Sequence, residues 1–161
     1  MPVLITNHVL SGAVTGAVAR RPVPAFLAGV ASHFVLDALP HWGKVSHERF
    51  LQVAVADGLT GLAAMAVLTA VARPGRRAAV LAGMAGAALP DLDKPAGLWF
   101  GISPWPRPVN TFHRWVQDER PDRLGVETMT ATLFAVAAVA ALRGAPGRAR
   151  ERRRPPGPAV R

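Results

Sequence analysis

Five apolar stretches run along the chain, at residues 5–19, 23–39, 51–72, 78–89 and 125–142. Arg20-Arg21-Pro22, the segment from His41 to Arg49, Arg73-Pro74-Gly75-Arg76-Arg77 and the long polar segment from Asp91 to Leu124 separate them with the proline, glycine and charge that end helices. None of the stretches alternates as a half-buried strand does, so they read as helices. Their residues, mostly Ala, Val and Leu, come in uniform blocks, whereas a helix of a soluble bundle carries an apolar stripe beside a polar face. The pattern therefore predicts an all-α fold: an integral membrane bundle of about five helices with a long loop between the fourth and fifth. Residues 51–72 alone reach the roughly 20 residues that cross a bilayer with confidence. The shorter first and fourth stretches suit tilted, half-length or internally buried helices. Gly12 with Gly16, and Gly58 with Gly61, provide notches for close helix contact.

With 161 residues the chain suits one domain. The expected division is a membrane helical domain at 1–143 and a disordered Arg/Pro-rich tail at 144–161. The first stretch reads as retained rather than as a signal peptide, because its arginines follow the apolar run and His8 interrupts it. No cysteine is present, which excludes disulfides, thiolate zinc sites and a cysteine nucleophile. The net charge of +9 suggests nucleic acid until it is located, since residues 143–161 hold seven Arg against one Glu. A flexible basic end without interleaved aromatics is a poor nucleic-acid surface, and no specific nucleic-acid partner is expected. A tether to anionic lipid headgroups fits it better. If every stretch crosses a cell membrane once, the tail's side carries 12 basic residues and the other side seven, which makes the tail cytoplasmic and the protein multi-pass.

The ionisable residues then gather at one end. His8 lies in the first turns of stretch one, Asp37 and His41 close stretch two, and Asp57 lies early in stretch three. Asp91 and Asp93 close stretch four, and His113 belongs to the loop on the same side. Charged groups at membrane depth are costly and generally serve a function. His33 and Asp37 are one helical turn apart, close enough to share a metal or to form a carboxylate–histidine pair. Pro40 disfavours helix at Leu39, which puts His41 on a capping turn. Pro90 likewise breaks the helix before Asp91 and Asp93, so both carboxylates can turn toward one point.

Nitrogen and oxygen ligands of this kind suit a divalent cation: Zn foremost, with Mn, Fe or Mg as alternatives. The candidate metal set is His8, His33, Asp37, His41, Asp91, Asp93 and His113, with Asp57 as the candidate catalytic base for a metal-activated water. Plainer readings stand beside these. A lone apolar-face histidine is usually a hydrogen-bonded packing residue, Asp91 and Asp93 suit a solvated loop start, Asp57 suits an interhelical bond to Thr60 or Thr130, and His47 beside Glu48 and Arg49 reads as surface.

The N-terminal histidine helix, the run Ser32-His33-Phe34-Val35-Leu36-Asp37-Ala38-Leu39-Pro40-His41, and Leu89-Pro90-Asp91-Leu92-Asp93 with the later Phe112-His113-Arg114 resemble the membrane-bound metal-dependent hydrolases, a family with LexA-binding, inner-membrane-associated members. The resemblance spans most of residues 5–142. It implies a metal set of His8, Asp91, Asp93 and His113, and it matches His33, Asp37 and His41 to a run of related members. The family also carries a second histidine shortly after its His-Arg, where this chain continues Trp115-Val116-Gln117-Asp118. Either His33 and His41 replace that ligand or activity has been lost. The reading is thus a membrane-embedded hydrolase of an ester or phosphoester, with membrane lipids and a small-molecule or lipid substrate as partners. The alternative is a non-enzymatic membrane protein that transports metal or protons, or a structural bundle. The oligomeric state is left open.

Overall fold

The computed structural model describes residues 4–144. The expected tail therefore lies, beyond Gly144, outside the described residues. The fold is all-helical. Helices α1 (Ile5–Ala19), α2 (Pro22–Asp37), α3 (His47–Val71), α4 (Arg77–Ala88) and α7 (Leu124–Arg143) match the five apolar stretches to within a few residues. The largest shift is the start of α3, where Ser46 accepts a hydrogen bond from the Arg49 N–H at 3.4 Å and caps the helix ahead of its apolar run.

The expected long loop is partly helical. It contains α5 (Asp93–Phe100), α6 (Arg107–Val116) and a two-residue strand β2 (Glu119–Arg120), which pairs in parallel with β1 (His41–Trp42). Pro95 and Pro108 had read as breakers. Both instead sit in the first turn of their helices, where a missing N–H costs nothing.

Helix α1 occupies the centre. It packs against α2, α3, α4 and α7, and ten of its fifteen residues are buried. A helix packed against four others needs no single apolar stripe, which is why its sequence lacks an amphipathic pattern. Glycine lets α4 approach α1 and α2 backbone to backbone. A Cβ at Gly83 would collide with the Gly12 carbonyl and the Gly16 backbone of α1, and one at Gly29 of α2 would meet the Gly83 carbonyl. The Gly12–Gly16 notch expected from sequence is used in this way. A Cβ on Gly61 would lie 3.2 Å from the Ile5 side chain, but one on Gly58 would meet nothing within 4 Å.

The buried apolar core, including Val9, Leu10, Ala13, Leu68, Val80, Met84 and Ala138, is small. Much of the apolar surface faces outward. Val55, Leu59 and Leu62 on α3 and Met129, Leu133 and Val136 on α7 are all more than half exposed. Both helices are long and apolar enough to cross a membrane, and 11% of the apolar stretch of each is buried.

Close packing and open space at different glycines give opposite expectations. Gly83→Ala should destabilise by about 1–3 kcal/mol, because a methyl group has no room between the α1 and α4 backbones. Gly58→Ala should stabilise by roughly 0.5–1 kcal/mol through helix propensity. Thermal unfolding of both variants in one detergent measures the pair, and equal effects would contradict this packing.

Candidate metal centre

Each polar side chain of the centre is delivered by the end of an element. Helix α1 presents His8 from its first turns, α2 presents His33 and Asp37 from its last turn, the short 3-10 turn after α4 (Leu89–Leu92) presents Asp91, and α6 presents His113. The two strands fix α6 in place. The Asp118 N–H donates to the Asp37 carbonyl, the His41 N–H donates to the Asp118 carbonyl and the Gly43 N–H donates to the Arg120 carbonyl, each at 3.0 Å. These bonds clip the segment after α6 to the end of α2 and hold His113 against Asp37.

The five side chains meet tightly. Asp37 Oδ2 lies 2.9 Å from His113 Nε2 and 3.1 Å from His33 Nε2, and Asp37 Oδ1 lies 3.4 Å from His8 Nε2. Asp91 bridges from the other side, its oxygens 3.5 Å from His113 Nε2 and 3.9 Å from His8 Nε2. The Nε2 atoms of His33 and His113 are 3.1 Å apart. All five residues are buried, with His8, His33 and Asp37 at 0% exposure. The rings of His8 and His33 stack at 4.0 Å, and Phe34 packs edge-on to His33 and His113.

The backbone fixes one proton of this arrangement. The Ala87 carbonyl, 2.7 Å from His33 Nδ1, can only accept, so Nδ1 carries the proton and a neutral ring presents a bare lone pair at Nε2. That lone pair faces the Asp37 carboxylate and the His113 nitrogen. Extra protons on the rings, or a single cation at their common point, relieve the repulsion. His8 Nε2, Asp37 Oδ1 and both oxygens of Asp91 have no hydrogen-bond partner. Burial also holds the Asp91 carboxyl, in the turn beyond α4, above the ordinary carboxylate range despite His8 and His33 nearby.

The spacing suits a cation. Ligand atoms held tetrahedrally at about 2.0–2.1 Å from zinc lie roughly 3.3 Å from one another, inside the span of the contacts above. Two overlapping groups, His8–His33–Asp37 and His33–Asp91–His113, each keep three ligand atoms within 4.8 Å of one another. The buried His/Asp groups could therefore hold a metal ion. The Ala87 carbonyl would fix the ring of one ligand from outside, as is usual for ligating histidines.

Three residues expected at the site have other engagements. Asp57 accepts from the Ile5 N–H at 2.5 Å and the Thr6 N–H at 3.2 Å, and its carbonyl accepts from the Thr6 hydroxyl. It caps α1 from outside, because Leu4 at the capping position has no side-chain oxygen and a helix N-terminus attracts negative charge. The expectation of Asp57 as catalytic base gives way to this role. The same residue had also read as an interhelical bond to Thr60 or Thr130; it does bridge helices, but to α1. His41 is buried and its Nδ1 contacts the Leu39 carbonyl at 2.8 Å, within a strand rather than on a turn. Asp93 meets Lys94 at 3.3 Å. Neither His41 nor Asp93 belongs to either ligand group. His47 is exposed.

Two residues were missed. Glu127, buried in α7, accepts from Asn7 Nδ2 at 2.5 Å and from the Leu4 N–H at 3.3 Å, giving α1 a second carboxylate at its N-terminus. Its position in an apolar stretch was the signal that could have found it. Gln117 Nε2 lies 3.3 Å from His113 Nε2. Comparison with protein-family models, curated proteins and solved structures gives no match.

Asp57→Ala should lower stability by about 0.5–2 kcal/mol, the range for losing a helix cap, and should leave metal content at the parent level. Metal analysis alongside thermal unfolding checks this. A variant as stable as the parent would remove the capping role.

Proposed function

We propose that this chain is a small integral membrane protein that holds a divalent cation between His8, His33, Asp37, Asp91 and His113 and hydrolyses an ester or phosphoester there. The observation that carries the reading is the meeting of three imidazoles and two carboxylates, from four separate elements, in a buried site where several of their polar atoms have no other partner. Buried charge persists only when paired or coordinated. Zinc suits a mixed imidazole and carboxylate set best, with Mn, Fe and Mg following. When bound, such an ion supplies a Lewis acid and brings the ionisation of water toward neutral pH.

The chain's own residues do the rest. Asp37 and Asp91 supply the carboxylates, the Ala87 carbonyl fixes which nitrogen of His33 is bare, and Phe34 packs against two of the rings. The resemblance of the His-x-x-x-Asp and Pro-Asp-x-Asp runs to membrane-bound metal-dependent hydrolases agrees with this chemistry. In place of that family's second histidine after His-Arg, Gln117 approaches His113.

The membrane reading is supported by the outward apolar faces of α3 and α7, which water would penalise. In this reading α1, α2 and α4 complete a multi-pass bundle. Trp99, Phe100 and Trp115 on α5 and α6, all exposed, mark the interface at the level of the site, where aromatic side chains concentrate. The larger count of basic residues on the tail's side favours a cytoplasmic tail in this reading.

The near-complete burial of the centre favours a second reading, a metal held for structure or transport without turnover. One experiment separates the two. Full-length protein purified in detergent and loaded with zinc should retain about one or two ions per chain and cleave a generic phosphoester. His33→Ala and His113→Ala should lose both properties, and His47→Ala should keep both. Bound metal without turnover would leave the non-enzymatic reading, and a parent protein that retains no metal would overturn both.

A further inference from the structure

Gly58 lines a cavity of about 420 Å³ that runs along one face of α3, and no other atom comes near the position its Cβ would take. The size is that of a small-molecule site. Its walls are apolar for most of their length, with Ala54, Leu62 and Met65 on α3, Leu98 on α5 and the buried Trp42 among them. Phe50 and Met65, both on its lining, are separated by about 22 Å of helix axis at 1.5 Å per residue. The polar exception matters most. Asp91 lines the cavity, and of the five groups of the metal centre it is the one that does so; Lys94 lines it as well, and so does Asp57, whose carboxylate is engaged by the first N–H groups of α1.

The shape and polarity select the occupant. A long, mostly apolar slot that includes a candidate metal ligand and a cation in its lining offers little to a small water-soluble ester along most of its length. It suits a methylene chain with a polar head at Asp91 and Lys94. The slot is also open toward the surroundings of α3, since Val55, Leu59 and Leu62 line it and are each more than half exposed. On a helix long and apolar enough to cross a membrane, that opening faces acyl chains.

We infer that this cavity seats the single acyl chain of a lipid substrate, with the lipid's ester or phosphoester head delivered to Asp91. Gly58 is then a hollowed wall position rather than a helix-contact notch. The inference rests on the proposed hydrolase for what happens to the head, and on the cavity alone for the binding of the chain.

Binding can be read without turnover. In a Trp99→Phe/Trp105→Phe/Trp115→Phe background, Trp42 is the remaining tryptophan. Bromine on an acyl chain quenches an indole on near contact. Full-length protein in nanodiscs of unbrominated lipid, titrated with a lysophospholipid brominated at mid-chain, should show saturable loss of Trp42 emission. Gly58→Phe should abolish the loss by filling the slot while leaving zinc content unchanged, and Ala54→Phe does the same independently should the first variant fold poorly. Quenching that persists in both folded plug variants, or its absence in the parent background, would overturn the acyl site. The metal-centre variant His33→Ala separates the two proposals. Quenching that survives there supports the acyl site even where phosphoester turnover is absent from every form, whereas turnover of a soluble phosphoester by a parent that shows no quenching keeps the hydrolase and removes the acyl site.

Discussion

A carboxylate with no exposed surface, Asp37, faces three imidazoles at the closed end of a helical bundle, and that burial constrains everything around it. Ionised groups taken out of water are tolerated when opposite charge meets them at short range with good geometry. The nearby groups include a second buried carboxylate, Asp91, so the cluster gathers negative charge instead of dispersing it. With His33 Nδ1 committed to a backbone carbonyl, the lone pairs that remain converge on a point that suits a cation.

Several features far apart in sequence serve that convergence. The small residues on α1, α2 and α4 bring three backbones together, which brings the ends of α2 and α4 near the start of α1. Asp57 and Glu127 grip the first N–H groups of α1 from two other helices. The short parallel pairing of β1 with β2 performs the same service for His113, which would otherwise hang on a connecting segment. The centre is therefore a product of helix ends, each anchored by backbone hydrogen bonds, and such supports give a site its precision.

The bundle also divides its apolar surface in an instructive way. Helix α1 buries two thirds of its residues, while α3 and α7 present most of theirs outward. In water the second arrangement would be unfavourable, since exposed apolar area of this extent drives association. In lipid the outward faces cost nothing, and packing falls to small residues and interhelical hydrogen bonds, both of which are present.

How much of this was legible beforehand follows from the range of each interaction. Uninterrupted apolar runs bounded by proline, glycine and arginine determined the five long helices, because helix formation and helix ends are decided by neighbours a few residues apart. The same local pattern placed His33 and Asp37 on one helical face and marked Asp91 and His113 as polar groups beside apolar elements. It misjudged α5 and α6, whose prolines initiate rather than terminate, and it could not tell a ligand from a cap. Asp57 and Asp91 look alike as carboxylates near helix boundaries. Tertiary structure alone decided that Asp57 meets the free N–H groups of α1 while Asp91 meets two imidazoles, since those partners lie far off along the chain and are brought within reach by the glycine-to-glycine contact of helices.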